Sequence, residues 1–154
     1  MRVGLGFDVH PFATDDRPLV LGGVTFDGER GLAGHSDADV VAHAVADALL
    51  GAAGLGDIGQ HFPDTDERWR GANSLRLLAQ VVVLLADAGW MVGNVDCTVV
   101  LEQPKLAPKR EAMQAALSEI VGGPVTVKGK RAEGLGALGR GEGVACWAIA
   151  LVDR

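Results

Sequence analysis

Gly6-Phe7-Asp8-Val9-His10 and, further on, His35-Ser36-Asp37-Ala38-Asp39 leading to His43 are the stretches on which the reading of this chain turns. The first has the pattern of a strand, where side chains alternate, so Asp8 and His10 share a face. The second opens an apolar run in which Asp39, His43 and Asp47 recur every fourth residue and share one side of a helix. Packing that strand on that helix brings one carboxylate and two imidazoles together. Such a set, with its fourth position open, suits a catalytic zinc site rather than a structural one. Asp39 and Asp47, one turn either side of His43, are the expected partners for orienting its ring. Taken singly, Asp8 and His10 also read as a surface pair, and His43 as a satisfied core histidine.

Outward from these stretches, Arg2 to Val9 is the first strand, and Leu19 to Phe26 a hairpin with Gly22 and Gly23 at its turn. Ser36 or Asp37 is the expected N-cap of a helix running to Ala53 and closed by Gly54. Gly54 to Gly71 is a long polar loop, of the kind that is more often functional than decorative. Asn73 or Ser74 caps a second helix ending at Gly89, Trp90 to Leu101 is a strand, and Pro108 to Val121 a third helix. Val125 to Lys130 is a strand, Glu133 to Glu142 a glycine-rich loop, and Val144 to Val152 the closing strand. This order predicts an α+β fold, a mixed four-stranded sheet with a small extra hairpin and helices on one face. Covering the bare face calls for self-association.

The 154 residues are expected to form a single domain, 1–154, with a core that needs no staples. Aromatic residues make up 5%, with no Tyr, which argues against a stacking surface for nucleic acid. A formal net charge of −6 excludes a broad phosphate-binding surface but leaves room for local cations. Cys97 and Cys146 have no metal-type spacing and read as reduced core residues. The apolar run Val81 to Ala86 is too short to span a bilayer. Met1-Arg2-Val3-Gly4 enters a strand with no signal peptide before it, so the cytoplasm is the expected location.

Other residues carry weaker signals. His35 lies before the helix, where free N–H groups and the dipole favour an anion, or is an ordinary loop histidine. Asp57-Ile58-Gly59-Gln60-His61-Phe62-Pro63-Asp64-Thr65-Asp66 gathers carboxylates suited to sugar diols, or merely solvated turn acids. Gly139-Arg140-Gly141-Glu142-Gly143 is a weak phosphate signal or a hairpin with an Arg–Glu pair. Lys105 reads as a helix-start lysine, and Trp69, Trp90 and Trp147 as core or interface residues.

Seven motifs occur in order: GFDVH (Gly6–His10), HSDAD (His35–Asp39) with His43 beyond, GLGDIG (Gly54–Gly59), FPDTD (Phe62–Asp66), GNVD (Gly93–Asp96), QPK (Gln103–Lys105) and GRGEG (Gly139–Gly143). On these the chain resembles the 2-C-methyl-D-erythritol 2,4-cyclodiphosphate synthase family from Arg2 to Val152. The resemblance implies a homotrimeric phosphorus–oxygen lyase of non-mevalonate isoprenoid synthesis with active sites at subunit interfaces. There the 2-phosphate of a cytidine-diphosphate-linked methylerythritol attacks its own β-phosphate, releasing CMP and a cyclic diphosphate.

By the same resemblance Asp8, His10 and His43 hold zinc, and Glu133 a second divalent ion, Mg²⁺ or Mn²⁺. His35 stabilises the transition state and Ser36 lies beside the 2-phosphate. Asp64 and Asp66, with Phe62, Pro63 and Thr65 around them, help hold the methylerythritol part, Asp57 and Gly59 meet the ribose, and Ile58 between them is a further substrate contact. Pro104, Lys105, Leu106 and Ala107 come from the neighbouring subunit and enclose the cytosine. Ala132, Ala137 and Arg140 complete the substrate contacts. Phe7, Arg140 and Glu142 match residues of an axial cavity that takes an isoprenoid diphosphate in some members.

The chain departs from the family at Lys128-Gly129-Lys130-Arg131-Ala132-Glu133, where a run of threonines is usual, and at Ala137, where a larger apolar residue is common. Arg131 stands where a catalytic threonine is expected, and a guanidinium offers phosphate a charged, bidentate grip. Either Arg131 takes over that role, or the site has drifted toward an isoprenoid-diphosphate-binding trimer or a zinc phosphoesterase.

Overall fold

The structure, a computed structural model, describes residues 1–154. Strand β1 (Arg2–Pro11) leads into a hairpin of β2 (Pro18–Leu21) and β3 (Val24–Arg30), followed by helix α1 (Val40–Ala53) and the short α2 (Ile58–His61). After a single turn over Glu67–Trp69 come α3 (Ser74–Asp87), β4 (Met91–Val100), α4 (Arg110–Val121), β5 (Val125–Lys130), the short α5 (Gly136–Gly139) and β6 (Gly143–Asp153). The sheet order is β1-β6-β4-β5, with β2-β3 a separate two-stranded ribbon. β6 is antiparallel to both neighbours and β4 pairs with β5 in parallel, so the sheet is mixed as expected. The expected polar loop holds α2 and the Glu67 turn, and the glycine-rich loop holds α5.

Alternation on the strands sorts the two faces. On β6, Val144, Cys146, Ala148, Ala150 and Val152 are buried beneath the helices, while Trp147 and Ile149 point away and stay exposed. On β1, Val3, Leu5, Phe7 and Val9 form an exposed apolar row, with Val3 and Leu5 each 66% accessible. The opposite row of β1 is Gly4, Gly6, Asp8 and His10. Both glycines are required by close approach: a Cβ on Gly6 would run into the Ala44 carbonyl, and one on Gly4 into the Ala48 carbonyl, both on α1. Their absence of side chain seats α1 directly on β1.

The cap of α1 is Asp39, two or three residues later than expected. Its fully buried carboxylate accepts from Val41 N and Ala42 N at 3.1 Å, and from the hairpin-turn amides of Gly22 (2.8 Å) and Gly23 (2.7 Å). Both turn glycines have positive φ, as a tight two-residue hairpin demands. One carboxylate thus closes the helix start and fastens the ribbon to it. The first and last strands also run side by side, from Arg2 against Val152 to Pro11 against Gly143.

Candidate active site

Because α1 lies against the glycine half of β1, His43 arrives opposite the polar half of the same strand. Asp8 Oδ2 lies 2.8 Å from His10 Nε2 and 3.0 Å from His43 Nδ1, and the two nitrogens are 3.4 Å apart. Ligand atoms around a tetrahedral ion with metal–ligand distances near 2.0–2.1 Å are separated by about 3.3 Å. The triangle therefore has the size and the mixed N,O donors that a divalent cation requires. His10 Nδ1 donates to the Ala33 carbonyl at 2.9 Å, and a carbonyl only accepts, so Nε2 is the nitrogen that can give up its proton and turn a lone pair to a cation in the triangle. Asp8, His10 and His43 form the one three-residue cluster of this kind in the chain.

Charge is concentrated there. Burial pushes the Asp8 carboxyl up, but hydrogen bonds from His10 and His43, together with their charge, outweigh it and hold the group well below the usual carboxylate range. Burial likewise lowers His10, and the Asp8 hydrogen bond and charge more than reverse it, so His10 sits above its ordinary value. A cation placed among the three would supply the positive charge that protons supply without it.

The residues expected to orient His43 do other work. Asp39 is spent on its cap, and Asp47 accepts from Ile58 N at 2.8 Å, fixing the start of α2. His43 Nε2 instead meets Ser74 Oγ at 2.8 Å and Ser36 Oγ at 3.2 Å. The expected anion site at the start of α1 is also closed, since its Val41 and Ala42 amides are bound to Asp39.

A cavity of about 420 Å³ opens beside the triangle. His10, His43, His35 and Ser36 form its polar side; Ile58, Gly59, Phe62, Pro63 and Asp64 line the rest, with Trp69 and Leu77. Trp69 meets Phe62 edge-on at 5.1 Å. His35 donates through Nε2 to the Asp66 carbonyl at 2.9 Å. Asp57, Thr65 and Asp66 lie outside this lining: Asp57 caps α2 through Gln60 N, Thr65 is exposed, and the Asp66 carboxylate binds Arg68 at 2.6 Å. Ser74, Trp69 and Leu77 were not singled out by sequence as site residues; Ser74 carried only a cap signal.

A second cavity of about 210 Å³ lies among Pro104, Lys105, Leu106, Ala107, Lys130 and Arg131, and shares no lining residue with the first. Arg131 Nη2 binds Glu102 Oε2 at 3.0 Å, and Glu102 Oε1 accepts from Ala132 N at 2.7 Å. The Arg131 hydrogen bond holds the Glu102 carboxyl below its usual value. Glu133 is exposed at positive φ, and no second ligand cluster gathers around it. Ala137 is exposed on α5, and Arg140 pairs with Glu142 at 2.5 Å. Phe7 packs on Trp147 at 4.9 Å on the bare sheet face; Trp90 is buried.

The sequence model of the YgbB family matches residues 1–153. A protein from Pelotomaculum thermopropionicum named 2-C-methyl-D-erythritol 2,4-cyclodiphosphate synthase is 54% identical over 157 residues, covering 100% of this chain and 96% of its own. A protein of Anaeromyxobacter sp. named bifunctional enzyme IspD/IspF is 55% identical, and there the chain spans 40% of the relative's length. A solved 2C-methyl-D-erythritol-2,4-cyclodiphosphate synthase in its CDP-bound form superposes with a TM-score of 0.89 at 39% identity, over 99% of this chain and 100% of that one. With the fold, the triangle and its cavity in agreement, the chain belongs to the YgbB family, the family of the 2-C-methyl-D-erythritol 2,4-cyclodiphosphate synthases.

Proposed function

We propose that the chain closes 4-diphosphocytidyl-2-C-methyl-D-erythritol 2-phosphate into 2-C-methyl-D-erythritol 2,4-cyclodiphosphate and CMP, as a phosphorus–oxygen lyase of non-mevalonate isoprenoid synthesis working in the cytoplasm. The observation that carries this reading is the Asp8–His10–His43 triangle opening on a cavity of about 420 Å³, within the usual range for small-molecule sites.

Zinc held by Asp8, His10 and His43, with Mg²⁺ or Mn²⁺ on the side of Glu133, would supply Lewis-acid stabilisation of phosphate oxygens. An oxygen of the 2-phosphate attacks the β-phosphorus, and the bond from that phosphorus to the bridging oxygen breaks, leaving with CMP. The attacking oxygen is already ionised near neutrality, so no general base is needed; alignment and charge neutralisation dominate. His35, tethered through Nε2 to the Asp66 carbonyl, presents its remaining edge to the phosphates. Ser36 donates beside the 2-phosphate, and Asp64 receives hydroxyls of the methylerythritol part. Ile58, Phe62 and Pro63 form an apolar wall that limits water.

The Pro104–Ala107 cavity, with Arg131 at its rim, would take the cytosine of a substrate whose reacting end lies on another copy. Two separate half-sites on one chain and the apolar row of β1 both support a homotrimer with shared sites. Phe7, Arg140 and Glu142 would then meet near the symmetry axis, where an isoprenoid diphosphate would raise the melting temperature; an unchanged one removes that part.

Purified protein with zinc and magnesium should convert the cytidine-linked substrate to a cyclic diphosphate, followed by phosphorus NMR and product mass, with one CMP released per turnover. Inorganic phosphate without a cyclic product would point to a phosphoesterase, and ligand binding without turnover to a carrier; either would overturn the assignment.

A further inference from the structure

We propose that Ser74 and Asp37 are positioning residues that dictate which nitrogen of His43 faces the metal, and so set the metal affinity of the site. The inference rests on the reading of Asp8, His10 and His43 as metal ligands. Ser74, the first residue of α3, is buried, and its hydroxyl touches two groups of fixed character. It makes a very short contact with Asp37 Oδ1, and an ionised carboxylate only accepts, so the hydroxyl proton is committed to Asp37. Towards His43 Nε2, 2.8 Å away, Ser74 Oγ is left only as an acceptor. Nε2 must therefore keep its proton when the ring binds a cation, and Nδ1, the atom 3.0 Å from Asp8 Oδ2, is the nitrogen left to give up its proton and offer a lone pair to the triangle. For His10 the Ala33 carbonyl imposes the equivalent choice; for His43 it is imposed by residues 31 and 6 positions away in sequence.

Asp37 is itself held in place for this task. Its Oδ2 accepts from Ser74 N at 3.0 Å, and its own amide donates to the Ala72 carbonyl at 3.0 Å. Gly71 N donates to the His35 carbonyl at 2.8 Å. The segment from His35 to Asp37 is thus zipped to the entry of α3, so the same contacts that orient the His43 ring also seat His35 and Ser36 at the cavity wall. Ser36 Oγ, at 3.2 Å from His43 Nε2, accepts from Ala38 N and has no carboxylate or carbonyl to fix its proton, only a long 3.5 Å contact with Ser74 Oγ. It lacks the directional constraint that Ser74 has.

The test compares wild type, Ser74→Ala and Ser74→Thr by zinc competition titration and by proton–nitrogen spectra of His43 in the zinc-loaded protein. Loss of an outer partner of a metal-bound histidine typically weakens affinity by about 10–100-fold, the drop expected for Ser74→Ala, with Ser74→Thr restoring it. In wild type the Nε2 proton should be visible and slow to exchange, and in Ser74→Ala it should exchange with solvent. A merely structural role would lower the melting temperature of metal-free Ser74→Ala while leaving that proton protected. Unchanged zinc affinity in Ser74→Ala, or a wild-type spectrum with the proton on Nδ1, overturns the inference; the second readout needs no variant to fold. Failure of wild type to bind zinc at all would instead sink the metal site itself.

Discussion

Replacing Gly6 with Ala tests the step by which this sequence makes a site at all, the seating of α1 on the glycine half of β1. The added Cβ would lie 2.6 Å from Ala48 N and closer still to the Ala44 carbonyl. Unstrained contact needs about 3.5 Å, and the carbonyl oxygen is the nearest obstacle, so the helix must retreat by roughly 1.5 Å. The obstacle is helix backbone, which has no rotamer to escape into. The cost should therefore sit near the upper end of overpacking penalties, about 3 kcal/mol. For a chain of this size that is a fall in melting temperature of roughly 6–12 °C. The same retreat carries His43 away from Asp8, opening a 3.0 Å contact toward about 4.5 Å, too wide for ligands shared by one tetrahedral ion. Calorimetry of the chelator-treated protein reads the first effect and zinc titration the second. A Gly6→Ala protein that melts with wild type and binds zinc equally well would refute the claim that close strand–helix approach builds the triangle.

Asp39→Ala should cost about 3 kcal/mol, because it removes a helix cap and strands one buried and one half-buried turn amide at once; a loss below about 1 kcal/mol in urea unfolding would show those amides satisfied otherwise. Arg131→Thr should leave stability nearly untouched, since exposed ion pairs contribute under about 1 kcal/mol, yet slow cyclodiphosphate formation several-fold; equal or faster turnover would show that Arg131 has not taken over the threonine's part. For the metal-free chain, Asp8 is held below its usual value, so its contribution to stability is present at higher pH and lost as pH falls through that lowered value. His10 is raised above 6.5, so its contribution is complete below 6.5 and lost as pH climbs through the raised value. Urea midpoints should therefore peak between about pH 4 and 6.5 and fall on both sides, with Asp8→Asn flattening the curve; an unflattened curve in that variant would place the dependence elsewhere.

Much of the fold was legible because its signals are local. Alternation in β1 put Asp8 and His10 on one side, and Gly54 and Asn73 punctuated the helices as expected. Local spacing misled where it had to stand in for tertiary contact. Asp39 and Asp47 do share a helix side with His43, but a residue at the N-cap turns its carboxylate onto the helix's own amides, and Asp47 meets α2. The true partner, Ser74, and the Asp37 that fixes its hydroxyl meet only when α3 docks, and a serine opening a helix reads from sequence as a cap and nothing more. Trp69 was similarly unreadable: its place at the cavity depends on how the 62–70 segment folds back on Phe62.

On the proposed function, the two cavities with no residue in common would divide the labour of one reaction between distant parts of the chain. In rings where each centre borrows its second half from a neighbour, a chain crippled at His43 still lends a sound nucleobase pocket, and one crippled at Lys105 still lends a sound metal pocket. Blending two such dead proteins before assembly should revive about a quarter of the centres by chance pairing alone, a genetic complementation that a self-contained subunit would never show.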